Sequence, residues 1–251
     1  MNTSGHRYDM VGRKLLLVVV GAFVLTGMGG APGVSAAPAP AGTVTLYGDR
    51  SLCRNAQLPR DNVACAVALT REWLDHTGRS TAVRRTVAVS NPALGGSWNP
   101  QNRDVCVYAE VGTVLNLGLH HCNTITFVNW VTDAALIRTP ARALTTFVHE
   151  SSHGVQEAIG LKPVSVTVLG PADALRRLEW ASDCWSGAAW SWFVRSGEMT
   201  AAERDEATAF MYSLPERTSH GSGSERGAAF ERGIVEGVTA CDQILGTPAY
   251  T

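Results

Sequence analysis

The residues best suited to chemistry are the run His149-Glu150-Ser151-Ser152-His153. On a helix, residues four apart lie about 40° from one another around the axis, so both imidazoles can face one metal ion. The intervening glutamate projects beside them, where it can take a proton from a water activated by that ion. The chemistry in view is hydrolysis, with His149 and His153 as zinc ligands and Glu150 as general base. A helix that merely carries two surface histidines would show the same pentapeptide, so the flanking residues must decide.

Those residues describe an anchored helix. Thr139 and Pro140 supply an N-cap and a first helical position, and Gly160 supplies a stop. Leu144, Phe147, Val148, Val155, Ala158 and Ile159 fall on one face, while His149, His153 and Gln156 cluster on the other. Two histidines leave a zinc ion short of a third protein ligand, with one position kept open for water. Glu179 and Asp183 supply it, sharing the face of a second helix whose adjoining stripe is Leu175, Leu178, Ser182, Trp185, Ala189 and Trp192. Glu179 is the expected ligand. Asp183 is placed to accept the far N–H of a ligand histidine and fix its tautomer. Without the first motif, the same pair would read as a solvated acidic face.

Three stretches in order carry a family resemblance: Val148-His149-Glu150-Ser151-Ser152-His153-Gly154-Val155-Gln156, Leu178-Glu179-Trp180-Ala181-Ser182-Asp183-Cys184, and Ser219-His220-Gly221-Ser222-Gly223-Ser224-Glu225-Arg226. With a closing Cys241-Asp242, the chain resembles the bacterial neutral zinc metallopeptidases, related to the glutamate-ligated zincins. The resemblance implies a zincin-like fold, zinc as cofactor, a peptide or protein substrate and peptide-bond hydrolysis. It also pairs Cys106 with Cys122 and Cys184 with Cys241, which leaves Cys53 with Cys65. Two positions depart from the family pattern, which usually has glycine at 152 and a further histidine at 154. Neither departure removes a ligand or the base, so restoring the family residues is expected to change the rate only modestly.

The amino terminus reads as an export signal. Arg7, Arg13 and Lys14 precede an apolar run from Leu15 to Met28, followed by the small-residue site Val34-Ser35-Ala36. That run is shorter than the roughly 20 residues that span a bilayer, so cleavage after Ala36 is favoured over a retained membrane anchor. Residues 37–42 form a flexible start, and 43–251 a single catalytic domain. Cleavage removes three basic residues and one acidic one, moving the formal net charge from −1 to −3. Such mild acidity offers no footprint for nucleic acid. All 6 cysteines follow the signal, an even number that reads as disulfides in an exported chain; fifteen pairings are open from the residues alone.

Organisation follows from local signals. Strands are expected over 43–47, 81–90, 104–110 and 124–130, with a helix from Asp61 to His76 stopped by Gly78. The last strand could offer an edge to an extended peptide or sit in the core. Later segments are helical: 175–195, one opened by the capping box Thr200-Ala201-Ala202-Glu203, and one by Ser222-Gly223-Ser224-Glu225. The expected class is α+β, a small N-terminal sheet followed by the active-site helix and a helical C-terminal half. Trp180, Trp185, Trp190 and Trp192 read as a core seam rather than a substrate wall. His120 and His121 read as surface or hydrogen-bonded loop residues. His220 could donate a hydrogen bond to a developing oxyanion or hold its loop. The competing function is a non-catalytic secreted or envelope binding protein on the same scaffold, which would have no need of Glu150. Hydrolysis of a non-peptide amide is a third reading that the residues leave open.

Overall fold

The structure is a computed structural model that describes residues 43–89, 94–99, 102–110, 119–122, 124–163 and 171–251; the expected export signal and the 37–42 segment lie outside them. Short strands, β-branched in β1, β2 and β6, form two small sheets. Strands β1 (Thr43–Leu46), β2 (Arg85–Val89), β5 (His120–Cys122) and β6 (Ile125–Asn129) make a sheet of order β1-β2-β6-β5. β2 and β6 run parallel, with Val87 opposite Phe127, and the outer pairs are antiparallel. Strands β3 (Leu94–Asn99) and β4 (Asn102–Glu110) pair with each other as an antiparallel ribbon.

Among the described residues there are six α-helices: α1 (Pro59–His76), α2 (Pro140–Ala158), α3 (Ala172–Arg195), α4 (Ala201–Tyr212), α5 (Gly223–Glu236) and α6 (Val238–Leu245). The fold is therefore α+β and mostly helical. Local rules set most helix ends. The Thr139 hydroxyl accepts from the Arg142 N–H at 3.2 Å with Pro140 in the first turn, and α4 and α5 open with the Thr200–Glu203 and Ser222–Glu225 capping boxes. α1 begins earlier than expected. Asp61 is its third residue, and its carboxylate accepts from the N–H groups of Gln57 and Leu58, so the helix starts at Pro59.

For two readings of the sheet the structure decides between the alternatives: β6 is a core strand, and the two histidines before Cys122 are buried rather than on the surface. β6 is not an edge, because β2 and β5 flank it and Phe127 and Val128 are buried. The loop placement of His120 and His121 is corrected, since they lie in β5, 7% and 2% exposed, while the hydrogen-bonded reading holds at His121, whose Nδ1 lies 3.2 Å from the Thr126 hydroxyl. Three residues of such composition carry too little strand signal to be read locally.

One core unites the helices. Trp185, Trp190, Phe193 and Phe230 are fully buried, which makes the tryptophan seam on α3 mainly core. Gly187 faces the Phe230 carbonyl and Gly233 faces that of Cys184. A Cβ on either would sit 1.9 Å from the oxygen, so α3 and α5 pack backbone to backbone. The Cys184–Cys241 disulfide ties α3 to α6, and Cys53–Cys65 ties the 3-10 turn Arg50–Cys53 to α1. Cys122 is also disulfide-bonded; the side chain of Cys106, its expected partner, lies outside those described. These bridges point to an oxidising, extracytoplasmic environment. No helix of the described residues is long and apolar enough to cross a membrane.

Candidate metal centre

The α2 helix is anchored as expected by its apolar face, and its histidine face is buried as well. Every residue from Phe147 to Gln156 is buried, with α1, α3 and the β5–β6 side of the sheet packed around it, and only near its end does Ile159 become 45% exposed. The candidate ligands thus point into a space enclosed by other elements. His149 and His153 are 4% and 7% exposed.

Glu179 on α3 is the hub of that space. Its Oε2 lies 3.1 Å from His149 Nε2, 3.6 Å from His153 Nε2 and 3.1 Å from His220 Nε2. Ligand atoms held at about 2.0–2.1 Å on a tetrahedral zinc are separated by about 3.3 Å, so each nitrogen stands roughly one tetrahedral edge from that oxygen. The tightest set is His149, Glu179 and His220, whose ligand atoms all lie within 4.8 Å of one another. His220 therefore stands closer to the centre than a loop-holding residue would. Imidazoles with one carboxylate suit a borderline-soft ion such as zinc.

Each histidine of α2 is oriented from behind. Asp183 accepts from His149 Nδ1 at 2.7 Å, which turns Nε2 toward Glu179. Asp183 is itself gripped by Arg226 of α5, whose Nε donates to Oδ2 and Nη2 to Oδ1, both at 2.9 Å. His153 Nδ1 lies 3.0 Å from Gln156 Oε1. The Gln156 amide can face only that way, because its Nε2 donates to the Leu178 carbonyl at 3.0 Å and to the Tyr250 hydroxyl at 2.7 Å. Ser152 joins this network at 2.8 Å from Ser182 Oγ and 2.6 Å from the Tyr250 hydroxyl. Sequence reading missed Tyr250, which sits at the end of the chain.

The histidines and carboxylates of the cluster shift one another's protonation. Burial lowers the His149 pKa, but Asp183 outweighs it, with help from Glu179 and Glu150, and the value rises to about 10. His153 is raised as well, burial being overcome by Glu179 and then Glu150. Burial would raise Glu179, yet His220, His153 and His149 hold it well below the usual carboxylate range. Asp183 falls to about 2, because Arg226 and His149 outweigh its burial. Glu150, Glu179 and Asp183 are 8%, 4% and 0% exposed. His149 and His153 thus hold protons against these carboxylates, and a bound cation would take the place of those protons. The donor set fits zinc.

A cavity of about 430 Å³ opens beside the centre. Glu150, His149 and His220 line it, with Phe210, Met211 and Leu214 supplying an apolar wall. Glu150 therefore borders both the ligand cluster and a space able to take a substrate. His220 is fixed over this opening: its carbonyl accepts from Trp180 Nε1 at 3.0 Å, its Nδ1 lies 2.6 Å from the Ser219 hydroxyl, and Gly221 turns the loop with φ of 78°. Trp180 thus has a positioning task beyond core packing.

The two departures from the family pattern are not neutral in the fold. Ser152 carries hydrogen bonds to Ser182 and Tyr250. At Gly154 a Cβ would stand 2.5 Å from the Ala82 carbonyl and 2.9 Å from His121 Nε2. A histidine there has no room in this packing, since β5 and the Ala82 turn occupy its place. In comparisons with known proteins, no family model, no curated protein and no solved structure matches the chain.

Proposed function

We propose that this chain is an exported zinc-dependent peptidase with a zincin-like fold, as its three motif blocks imply. One observation carries the reading: three histidines converge on a single buried Glu179 oxygen at 3.1–3.6 Å, and Glu150 lines the adjoining cavity. Zinc, held by His149, His153 and Glu179, would supply an activated water at neutral pH and polarise a carbonyl. Glu150 accepts the proton of the attacking water on its carboxylate and passes it to the leaving amine nitrogen. His220, half-buried at the cavity mouth, donates from Nε2 to the carbonyl oxygen as charge develops there. Asp183 and Gln156 hold the two imidazoles in the required tautomer.

The proximity of His220 to Glu179 favours one competing reading, in which four protein ligands close the site and the chain is a non-catalytic binding protein. His220→Ala separates the two. In the peptidase reading zinc stays stoichiometric and turnover falls; in the closed-site reading zinc affinity itself falls. The direct test is elemental analysis of the disulfide-intact protein, followed by digestion of an unbiased peptide library. Glu150→Gln should retain zinc and lose ~10²–10⁴ in rate. A zinc-loaded wild type that cleaves nothing, or a Glu150→Gln protein that cleaves equally well, sinks the proposal.

A further inference from the structure

Arg142, from the first turn of α2, and Arg217, from the loop before α5, both line the cavity beside Glu150. An arginine is out of place at the start of a helix on local grounds. The N-terminal end carries partial positive charge, so acidic side chains are favoured there and cations are not. The first turn of α2 holds no acidic residue, and Arg142 stands there half-buried.

Its surroundings leave it unspent. Arg142 Nε is buried with no hydrogen-bond partner, and Nη1 makes only a long 3.5 Å contact to the Ala135 carbonyl. The guanidinium carbon lies 4.9 Å from the centre of the Phe210 ring. That cation–π contact engages the group over the ring and leaves N–H donors for an acceptor in the cavity. Neither Arg142 nor Arg217 has an ion-pair partner among the described residues. Of the other charged groups of the cavity, Glu150 lies toward the ligand cluster, and Asp133 and Arg226 are engaged within the chain. Asp133 accepts from the Asn129 N–H at 2.8 Å and the Thr132 hydroxyl at 3.2 Å, and Arg226 grips Asp183.

We infer that Arg142 and Arg217 form a carboxylate-binding subsite, so that the cleft selects peptides bearing an acidic group. Eight residues of helix place Arg142 about 12 Å from Glu150 along α2. An extended peptide covers that distance in three to four residues at ~3.3 Å each. The recognised carboxylate therefore lies three to four residues from the bond opposite Glu150. It is either an Asp or Glu side chain or the carboxyl terminus of a short peptide. The spacing, though not the anion preference, rests on the peptidase reading.

Binding is measured by fluorescence anisotropy on the zinc-supplemented, disulfide-intact Glu150→Gln protein. The probes are dye-labelled alanine octapeptides. One series places a single Glu or its Gln twin at each position in turn, with amidated ends; a second compares free-acid and amidated carboxyl termini. A charge-assisted pair predicts about tenfold tighter binding of the acidic twin. The preference should collapse when Arg142→Gln or Arg217→Gln is added. A position-dependent Glu effect assigns the subsite to a side chain, and a free-acid effect assigns it to the terminus. Equal binding of twins in both series overturns the subsite, as does a preference that survives both arginine substitutions. The Glu/Gln comparison needs no arginine variant, so a misfolded mutant cannot obscure the result. Wild-type cleavage of the same peptides separates the two proposals. Arginine-dependent binding without cleavage keeps the subsite and sinks the peptidase, and cleavage without acidic preference does the reverse.

Discussion

Replacing Arg226 by methionine tests the buried ion pair on which His149 is aligned. Asp183 is fully buried and the Arg226 side chain only 12% exposed, with two hydrogen bonds of 2.9 Å between them. Removing one partner of such a pair costs about 3–5 kcal/mol, because the other charge is left uncompensated in a low dielectric. Asp183 keeps its bond to His149 Nδ1, which places the expectation near the lower end, about 3 kcal/mol. For a domain of this size each kcal/mol shifts the melting temperature by about 2–4 °C, so a fall of ~6–12 °C is expected. The site should suffer as well, since Arg226 fixes the carboxylate that orients His149, and loss of such outer partners costs up to about 10–100-fold in metal affinity. Urea unfolding of the disulfide-intact protein in chelator, followed by tryptophan fluorescence, measures the first effect; zinc titration against a competing chelator measures the second. Pairing Arg226→Met with Asp183→Asn should recover part of the loss, since no bare charge then remains. A loss below about 1 kcal/mol with an unchanged denaturant slope is what an exposed pair gives, and it would refute the reasoning.

Two further outcomes follow from contacts elsewhere. Gly154→Ala should destabilise by about 1–3 kcal/mol and Gly154→His by more, because the new Cβ meets the Ala82 carbonyl at 2.5 Å; melting temperatures equal to wild type for both would show that α2 can shift freely. Asp242 accepts from the N–H groups of Ala249, Tyr250 and Thr251 and from the Thr251 hydroxyl. Burial would raise its pKa, but the Thr251 side chain and then the backbone donors of Tyr250, Ala249 and Thr251 hold it lower. A depressed folded pKa gives stability that is complete above the ordinary carboxylate value of about 3.9 and is lost as pH falls through the folded value. Asp242→Asn should therefore be less stable than wild type near pH 7 and converge with it toward pH 2 in a pH series of urea unfolding, whereas a gap that widens in acid would reverse the sign.

What the sequence revealed about this fold was mostly what acts over a few residues. Thr139, Thr200 and Ser222 cap helices through bonds to residues three positions on, and Gly78, Gly160, Gly197 and Gly237 each have positive φ just past a helix. Such signals are complete within a short window. Helical spacing likewise placed His149 with His153 and Glu179 with Asp183. The order of the sheet was hidden, because pairing β6 with β2 joins residues some forty positions apart, and the three residues of β5 have no alternation to read. The enclosure of α2 was hidden for a related reason. Helical spacing pointed to Asp183 behind His149, but not to the β5–β6 strands that cover the helix or to Tyr250, which meets Gln156 from far along the chain.

One signal for the missed residues did exist, as a violation rather than a match. Arg226 lies within a turn of the start of α5, where the Ser222 capping box fixes it, and Arg142 lies in the first turn of α2. Both set a cation against the positive end of a helix, which local energetics disfavour. Residues that break a local rule are expected where a site has its own demand. For Arg226 that demand is visible: Asp183 buried beneath it, and through Asp183 the tautomer of His149. Arg142 breaks the same rule with no carboxylate beside it, in the same cavity, with a buried N–H unmet. The compensation that Arg226 finds inside the chain, Arg142 must find in what the cleft binds.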